Sequence, residues 1–264
     1  MVKTVELFTV LEYRQVPIPN MSGKRSTKAG YRNHPIDRAS KFFGDSVIDL
    51  RDVGFLGENH YFKAKNPTVP GAIPELLVRS SVAKRLRQVR DCLRLHSLDI
   101  WVKDAFRPIK VQEFIYITIR KRLANENPGV SKERLDELVA ERVAFAPDMR
   151  SAEISPSPHM TGGAIDLTLC NSQGEELQMG QDLKRVRNVM YPDALESTPD
   201  NSMANNSNLQ KARANRRLLF WIMTDAGFVI NPTEWWHFSW GDQMWARLSG
   251  EKAAHYSLLN LEGQ

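Results

Sequence analysis

The chain has 264 residues, 42% hydrophobic and 25% charged, the balance of a globular protein with a core of ordinary size. Its 36 Lys and Arg exceed its 31 Asp and Glu by a formal charge of +5, a small surplus spread along the chain. That argues for a solvated surface and against a nucleic-acid groove.

No stretch approaches the roughly 20 apolar residues of a membrane span. The opening "MVKTVELFTVLEYRQ" is cut by Glu6 and Glu12 and lacks a signal-peptide core. Cys92 and Cys170 form no motif and fit buried apolar roles in a reducing compartment, so a cytoplasmic protein is expected.

In chain order, residues 14–38, "RQVPIPNMSGKRSTKAGYRNHPIDR", are basic, rich in Pro and Gly and without periodicity, and read as an irregular surface segment. Residues 79–96 carry Val82, Leu86, Val89 and Leu93 at helical spacing, which predicts an amphipathic helix. "SLDIWVKD" alternates and predicts a strand, and Pro108 opens a helix through "PIKVQEFIYITIRKRLANE". Ser131 caps a further helix to about Ala144. "GGAIDLTL" reads as a strand leaving a glycine turn, and residues 197–208 as a polar loop. "LQKARANRRLLFWIMTDAG" is a helix stopped by Gly227, followed by late strands in "FVI" and "EWWHFSW". The pattern predicts one α+β domain over 1–264, helices packed on a mostly antiparallel sheet.

Three stretches carry chemistry. In "SPHMTGGAIDLTL", His159 and Asp166 are seven positions apart, and Gly162 and Gly163 between them let the chain fold back so that imidazole and carboxylate converge. "EWWHF" adds Glu234 and His237. Two histidines and an aspartate suit Zn²⁺, which in catalytic sites takes three protein ligands and keeps a fourth position for water. "KDAFRP" puts Arg107 at a strand-to-helix junction, a common place for a site residue. Singly, each has a bland reading: a hydrogen-bonded histidine, a salt-bridging arginine, tryptophans that pack a core. Asp166 is harder to dismiss, because an unpaired carboxylate in an apolar strand is costly.

Together these stretches resemble the VanX-like D-alanyl-D-alanine dipeptidases, zinc enzymes that share a fold with D,D-carboxypeptidases and the hedgehog signalling domain. "SPHMTGGAIDLTL" is similar to their Ser-x-His-x-x-Gly-x-Ala-x-Asp segment, "EWWHF" to Glu-Trp-Trp-His, and "DAFRP" to Asp-x-(Tyr/Phe)-Arg-Pro, in family order across a motif-bearing core of about 75–240. The resemblance implies one zinc ion on His159, Asp166 and His237, Glu234 as general base and acid, Arg107 as oxyanion stabiliser and Ser157 as a substrate contact. It implies hydrolysis of a small peptide from cell-wall metabolism, while the small, spread charge and the lack of an apolar span predict no nucleic-acid or membrane partner. The tryptophans would wall a dry pocket. Because positions three apart on a strand face opposite sides, Glu234 is expected at the start of its strand, turned by Asn231-Pro232.

One segment departs from the family. Where those enzymes carry Met-Gly-x-x-Phe-Asp, whose aspartate pairs with the dipeptide's ammonium, this chain reads "MGQDLKR", with Lys184 at the aspartate position and Asp182 two residues earlier. A lysine there repels an ammonium. Two other readings therefore stand beside the dipeptidase: a zinc amidase or carboxypeptidase on an N-blocked or acidic substrate, and a zinc-binding recognition module that does not hydrolyse. The last has no use for Glu234 and Arg107, which argues against it.

Overall fold

In a computed structural model, the residues described are 10–62, 69–140, 143, 155–180, 188–197 and 206–261. The periodic stretches become helices as expected. In α3 (Ser80–Arg94), Val82, Leu86, Val89 and Leu93 are all buried. Pro108 immediately precedes α4 (Ile109–Glu126), and Ser131 precedes α5 (Lys132–Ala140), its Oγ accepting from Arg134 N–H at 3.2 Å. Asn206 caps α6 (Ser207–Asp225) by accepting from the N–H groups of Asn208 and Leu209. Gly227, at φ +89°, ends that helix's register. The short helices are α1 (Val10–Tyr13), α2 (Ser22–Lys28) and α7 (Gln243–Ser249). No described helix is long and apolar enough to cross a membrane.

A two-stranded antiparallel ribbon pairs β1 (Val47–Asp49) with β3 (Leu77–Arg79). The main sheet has five strands: β2 (Leu56–Gly57), β4 (Leu98–Asp104), β5 (Ala164–Asn171), β7 (His237–Ser239) and β6 (Val229–Ile230), in that spatial order. Among these described strands the β2–β4 pair alone is parallel, so the fold is α+β with a mostly antiparallel sheet. Ile100, Val102, Ile165, Leu167, Leu169 and Phe238 are fully buried and join α3 and α6 in the main core.

The alternation of strand side chains then decides which residues face away from that core. Asp166, between Ile165 and Leu167, points to the opposite face, and its cross-strand partner on β7 is His237. On β4 an uninterrupted alternation would send Asp104 into the core alongside Ile100 and Val102. The register shifts between Val102 and Asp104, however, so that Asp104 comes opposite Asp166. The extra residue, Lys103, moves Asp104 to the other face, which is what a bulge does. Asp104, Asp166 and His237 therefore form one row across three neighbouring strands.

Two expectations need correction. The segment at about 14–38 is not simply an irregular surface stretch: it forms α2 and a 3-10 turn at Tyr31–Asn33, and Ile18, Met21 and Tyr31 are buried. It lacks periodicity because it is held by isolated long-range bonds rather than by a continuous apolar stripe. The strand read in "EWWHFSW" is also shorter, since only His237–Ser239 pair. Trp235 lies in the main core with the Arg216 guanidinium 5.1 Å from its ring, and Trp236 packs partly buried against it.

Candidate active site

Asp166 and His237 reach the site from the strand row, and His159 from a 3-10 turn, Pro158–Thr161, that enters β5. Gly162 closes this turn at φ +71°, a left-handed conformation that favours glycine. At Gly163 the reason is space, because a Cβ would stand 2.7 Å from Trp240 O. The two glycines thus let His159 return over Asp166, as the sequence predicts.

The donor atoms converge. His159 Nε2 is 3.0 Å from His237 Nδ1 and 3.2 Å from Asp166 Oδ1, and His237 Nδ1 is 3.0 Å from Asp166 Oδ1. His159 Nδ1 lies 2.8 Å from Ala105 O, and a carbonyl can only accept, so Nδ1 carries a proton, and in the neutral ring Nε2 is the nitrogen left with a lone pair. Burial alone would push the Asp166 carboxyl up, but His159 and His237 hold it well below the usual range, so it is an anion. Among the described residues, these three form a group whose ligand atoms all lie within 4.8 Å of one another. Tetrahedral bonds of ~2.0–2.1 Å place ligand atoms roughly 3.3 Å apart, so the set fits a metal ion.

Glu234 stands beside this cluster, its Oε2 3.9 Å from His237 Nδ1. It lies in the turn before β7, where its N–H donates to Asn231 O at 3.0 Å, which meets the expectation that it sits outside the strand's regular part. Asn231 Nδ2 donates to Glu234 Oε2 at 2.9 Å.

Arg107 follows β4 and is 9% exposed. Its Nε and NH2 donate to Asp104 Oδ2 at 2.9 and 2.6 Å, its NH1 to Gln112 Oε1 at 2.8 Å, and NH2 lies 3.8 Å from Asp166 Oδ2. The Tyr61 ring lies 5.0 Å from its guanidinium. Burial opposes its charge, yet Tyr61, Asp104 and Asp166 outweigh that and raise its pKa. Ser157, two residues before His159, is buried, and its Oγ finds no hydrogen-bond partner among the described residues. Asp182 and Lys184 lie outside the described residues.

Four residues of this site escape a reading of the sequence by motif roles. Asp104 was visible inside "DAFRP", but its hold on Arg107 depends on the bulge at Lys103. Asn231 preceded "PTEWWHF" as a mere turn residue. Gln112 carries no signal beyond its helix, and Tyr61 none at all.

A cluster of two imidazoles and a carboxylate, with a further carboxylate beside it and a buried guanidinium 3.8 Å from Asp166, is chemically suited to holding a metal ion next to a proton acceptor. Residues 57–255 match the peptidase M15 family, described as D-Ala-D-Ala dipeptidase. A D-alanyl-D-alanine dipeptidase of Synechocystis sp. is 32% identical over 205 residues, covering 75% of this chain and 82% of that protein. One from Escherichia coli K12 is 38% identical over 84 residues, 31% of this chain and 37% of that protein. A solved structure of the LdcB LD-carboxypeptidase aligns at 11% identity with a TM-score of 0.37, over 81% of this chain and 77% of that one. The chain belongs to the peptidase M15 D-Ala-D-Ala dipeptidase family, and it is a peptidase.

Proposed function

We propose that this protein is a zinc-dependent dipeptidase of the D-Ala-D-Ala type, with His159, Asp166 and His237 holding the ion and Glu234 as the general base. The observation that carries this reading is the position of Glu234: 3.9 Å from a donor atom of the cluster, but held by Asn231 outside the donor set. Bound zinc supplies Lewis acidity, polarising an oxygen and lowering the pKa of water toward ~7.

Glu234 accepts the proton of the attacking water as the water oxygen bonds to the scissile carbonyl carbon. It then passes that proton to the amine as the C–N bond breaks. Arg107 donates to the oxygen on which negative charge grows. Asp104 and Gln112 engage three of a guanidinium's five N–H groups, fixing its plane while leaving donors for that oxygen. Ser157 Oγ, buried without a partner among the described residues, is placed to meet a bound peptide. The departure at "MGQDLKR" favours a substrate whose N-terminal side is acylated or anionic, with Lys184 in place of an ammonium-binding acid. The test is to incubate zinc-loaded protein with L,L, D,D and N-acylated dipeptides and follow amine release. Absence of cleavage across the panel, with zinc bound, would leave the non-hydrolytic module as the correct reading.

A further inference from the structure

The family match begins at residue 57, yet the segment before it reaches the candidate site. Met21 N–H donates to Asp193 Oδ2 at 2.8 Å, and Arg25 pairs with Asp193 and donates to Pro232 O. Arg32 donates to both the hydroxyl and the carbonyl of Ser155, two residues before Ser157. Residues 21–32 thus strap together the two loops that carry the motif residues.

Lys28 makes the most specific of these contacts. Its Nζ donates to Asn231 Oδ1 at 2.9 Å and to Thr233 Oγ1 at 3.0 Å. Asn231 Oδ1 also accepts from Thr233 N–H at 3.2 Å and from Thr233 Oγ1 at 2.9 Å. An ammonium and a backbone N–H can only donate, so the oxygen of the Asn231 amide has to lie on their side. The NH2 group must then face the other way, where it donates to Glu234 Oε2. A flipped amide would aim its oxygen at the carboxylate and repel it. Burial draws the Lys28 ammonium below its ordinary range, and Glu234 partly restores it, so the two charges also sense one another.

We propose that Lys28, from the segment preceding the family match, is a positioning residue for Glu234, acting by locking the side-chain amide of Asn231. The proposal rests on the reading of Glu234 as the general base. Lys28 acts on Glu234 through Asn231 and Thr233 rather than on the reacting atoms, so its loss should lower kcat and spare KM. A strap that only holds the fold together would instead lower melting temperature and zinc content.

The experiment compares wild type with Lys28→Met, Lys28→Arg, Asn231→Ala, Lys28→Met/Asn231→Ala and Glu234→Gln. It measures kcat, KM, zinc stoichiometry and melting temperature. The expected result is a kcat about tenfold lower in Lys28→Met, the scale of one lost hydrogen bond, with KM within about twofold and zinc unchanged. Lys28→Arg should recover most of the loss. The double variant should be no slower than Asn231→Ala, because both changes release the same amide. Additive losses, or loss of zinc and stability in step with kcat, would overturn the proposal. An inactive Glu234→Gln beside a Lys28→Met of wild-type kcat would overturn it alone, whereas an active Glu234→Gln would remove the base assignment and the proposal with it.

Discussion

Asp166 and His237 are direct cross-strand partners on β5 and β7, with His237 Nδ1 3.0 Å from Asp166 Oδ1. The pairing register of two strands therefore sets the separation of two donor atoms, and only His159 depends on a turn. Purified protein should hold about one zinc, and His159→Ala and His237→Ala should each lose it. Zinc should also raise the melting temperature of wild type and not of these variants, since ligand that binds only the folded state stabilises it. Metal analysis with thermal melts checks both, and equal zinc in all three proteins would refute the site.

Glu234→Gln keeps the size and one acceptor of the side chain but cannot take a proton. Turnover should fall by ~10²–10⁴-fold or more with zinc retained. Activity within a few-fold of wild type would remove Glu234 from the mechanism.

Arg107 reads from the sequence as a residue whose loss costs catalysis and little stability. Its burial adds a second cost. Arg107→Ala should lower kcat by ~10²–10³-fold, as for a lost oxyanion donor. It also strips the buried Asp104 carboxylate of its partner, and breaking a buried pair costs about 3–5 kcal/mol. A clear drop in melting temperature is therefore expected alongside the kinetic loss. Unchanged kcat in a destabilised but zinc-loaded variant would leave Arg107 a purely structural role.

A methyl group at residue 163 would meet Trp240 O at 2.7 Å, a backbone atom that cannot swing aside. Gly163→Ala should cost about 1–3 kcal/mol, the range for overpacking, and weaken zinc binding by displacing the His159 turn. Thermal melts and zinc titration read the two effects, and a variant indistinguishable from wild type would show that the turn has room.

The departure at Lys184 makes a prediction about specificity. Two charges ~4 Å apart near a surface interact by about 4 kcal/mol before screening, so replacing attraction by repulsion moves selectivity more than tenfold. Wild type should favour N-succinyl-D-Ala-D-Ala over the free dipeptide in kcat/KM, and Lys184→Asp should reverse that order. A strong wild-type preference for the free dipeptide, unchanged by the substitution, would overturn the charge argument.

How much of this was legible depends on where each residue's information lies. Val82, Leu86, Val89 and Leu93 announce α3 because a buried stripe repeats every turn, and the strand through Ile165 and Leu167 announces itself by alternation. His159, Asp166, Glu234 and His237, which the structure brings together, stand out in the sequence because their motifs are short and local. Asp104 shows the limit: its side is set by a register shift at Lys103 that only the neighbouring strand defines. Lys28 shows it more sharply, since a cation among other cations looks solvated until its partner is known.

That partner is 203 positions away, and Arg25 reaches Pro232 across 207. Contacts of such span close only after the intervening chain is made, and they carry more loop-closure entropy than contacts between near neighbours. During synthesis Lys28 is made 203 residues ahead of its acceptor Asn231. The contacts among the cluster's donor atoms span only 71 and 78 positions, so in refolding they close ahead of the strap, and the base is held last. In refolding from denaturant, circular dichroism and zinc uptake should recover ahead of turnover, a lag that Lys28→Met would abolish by removing the step itself.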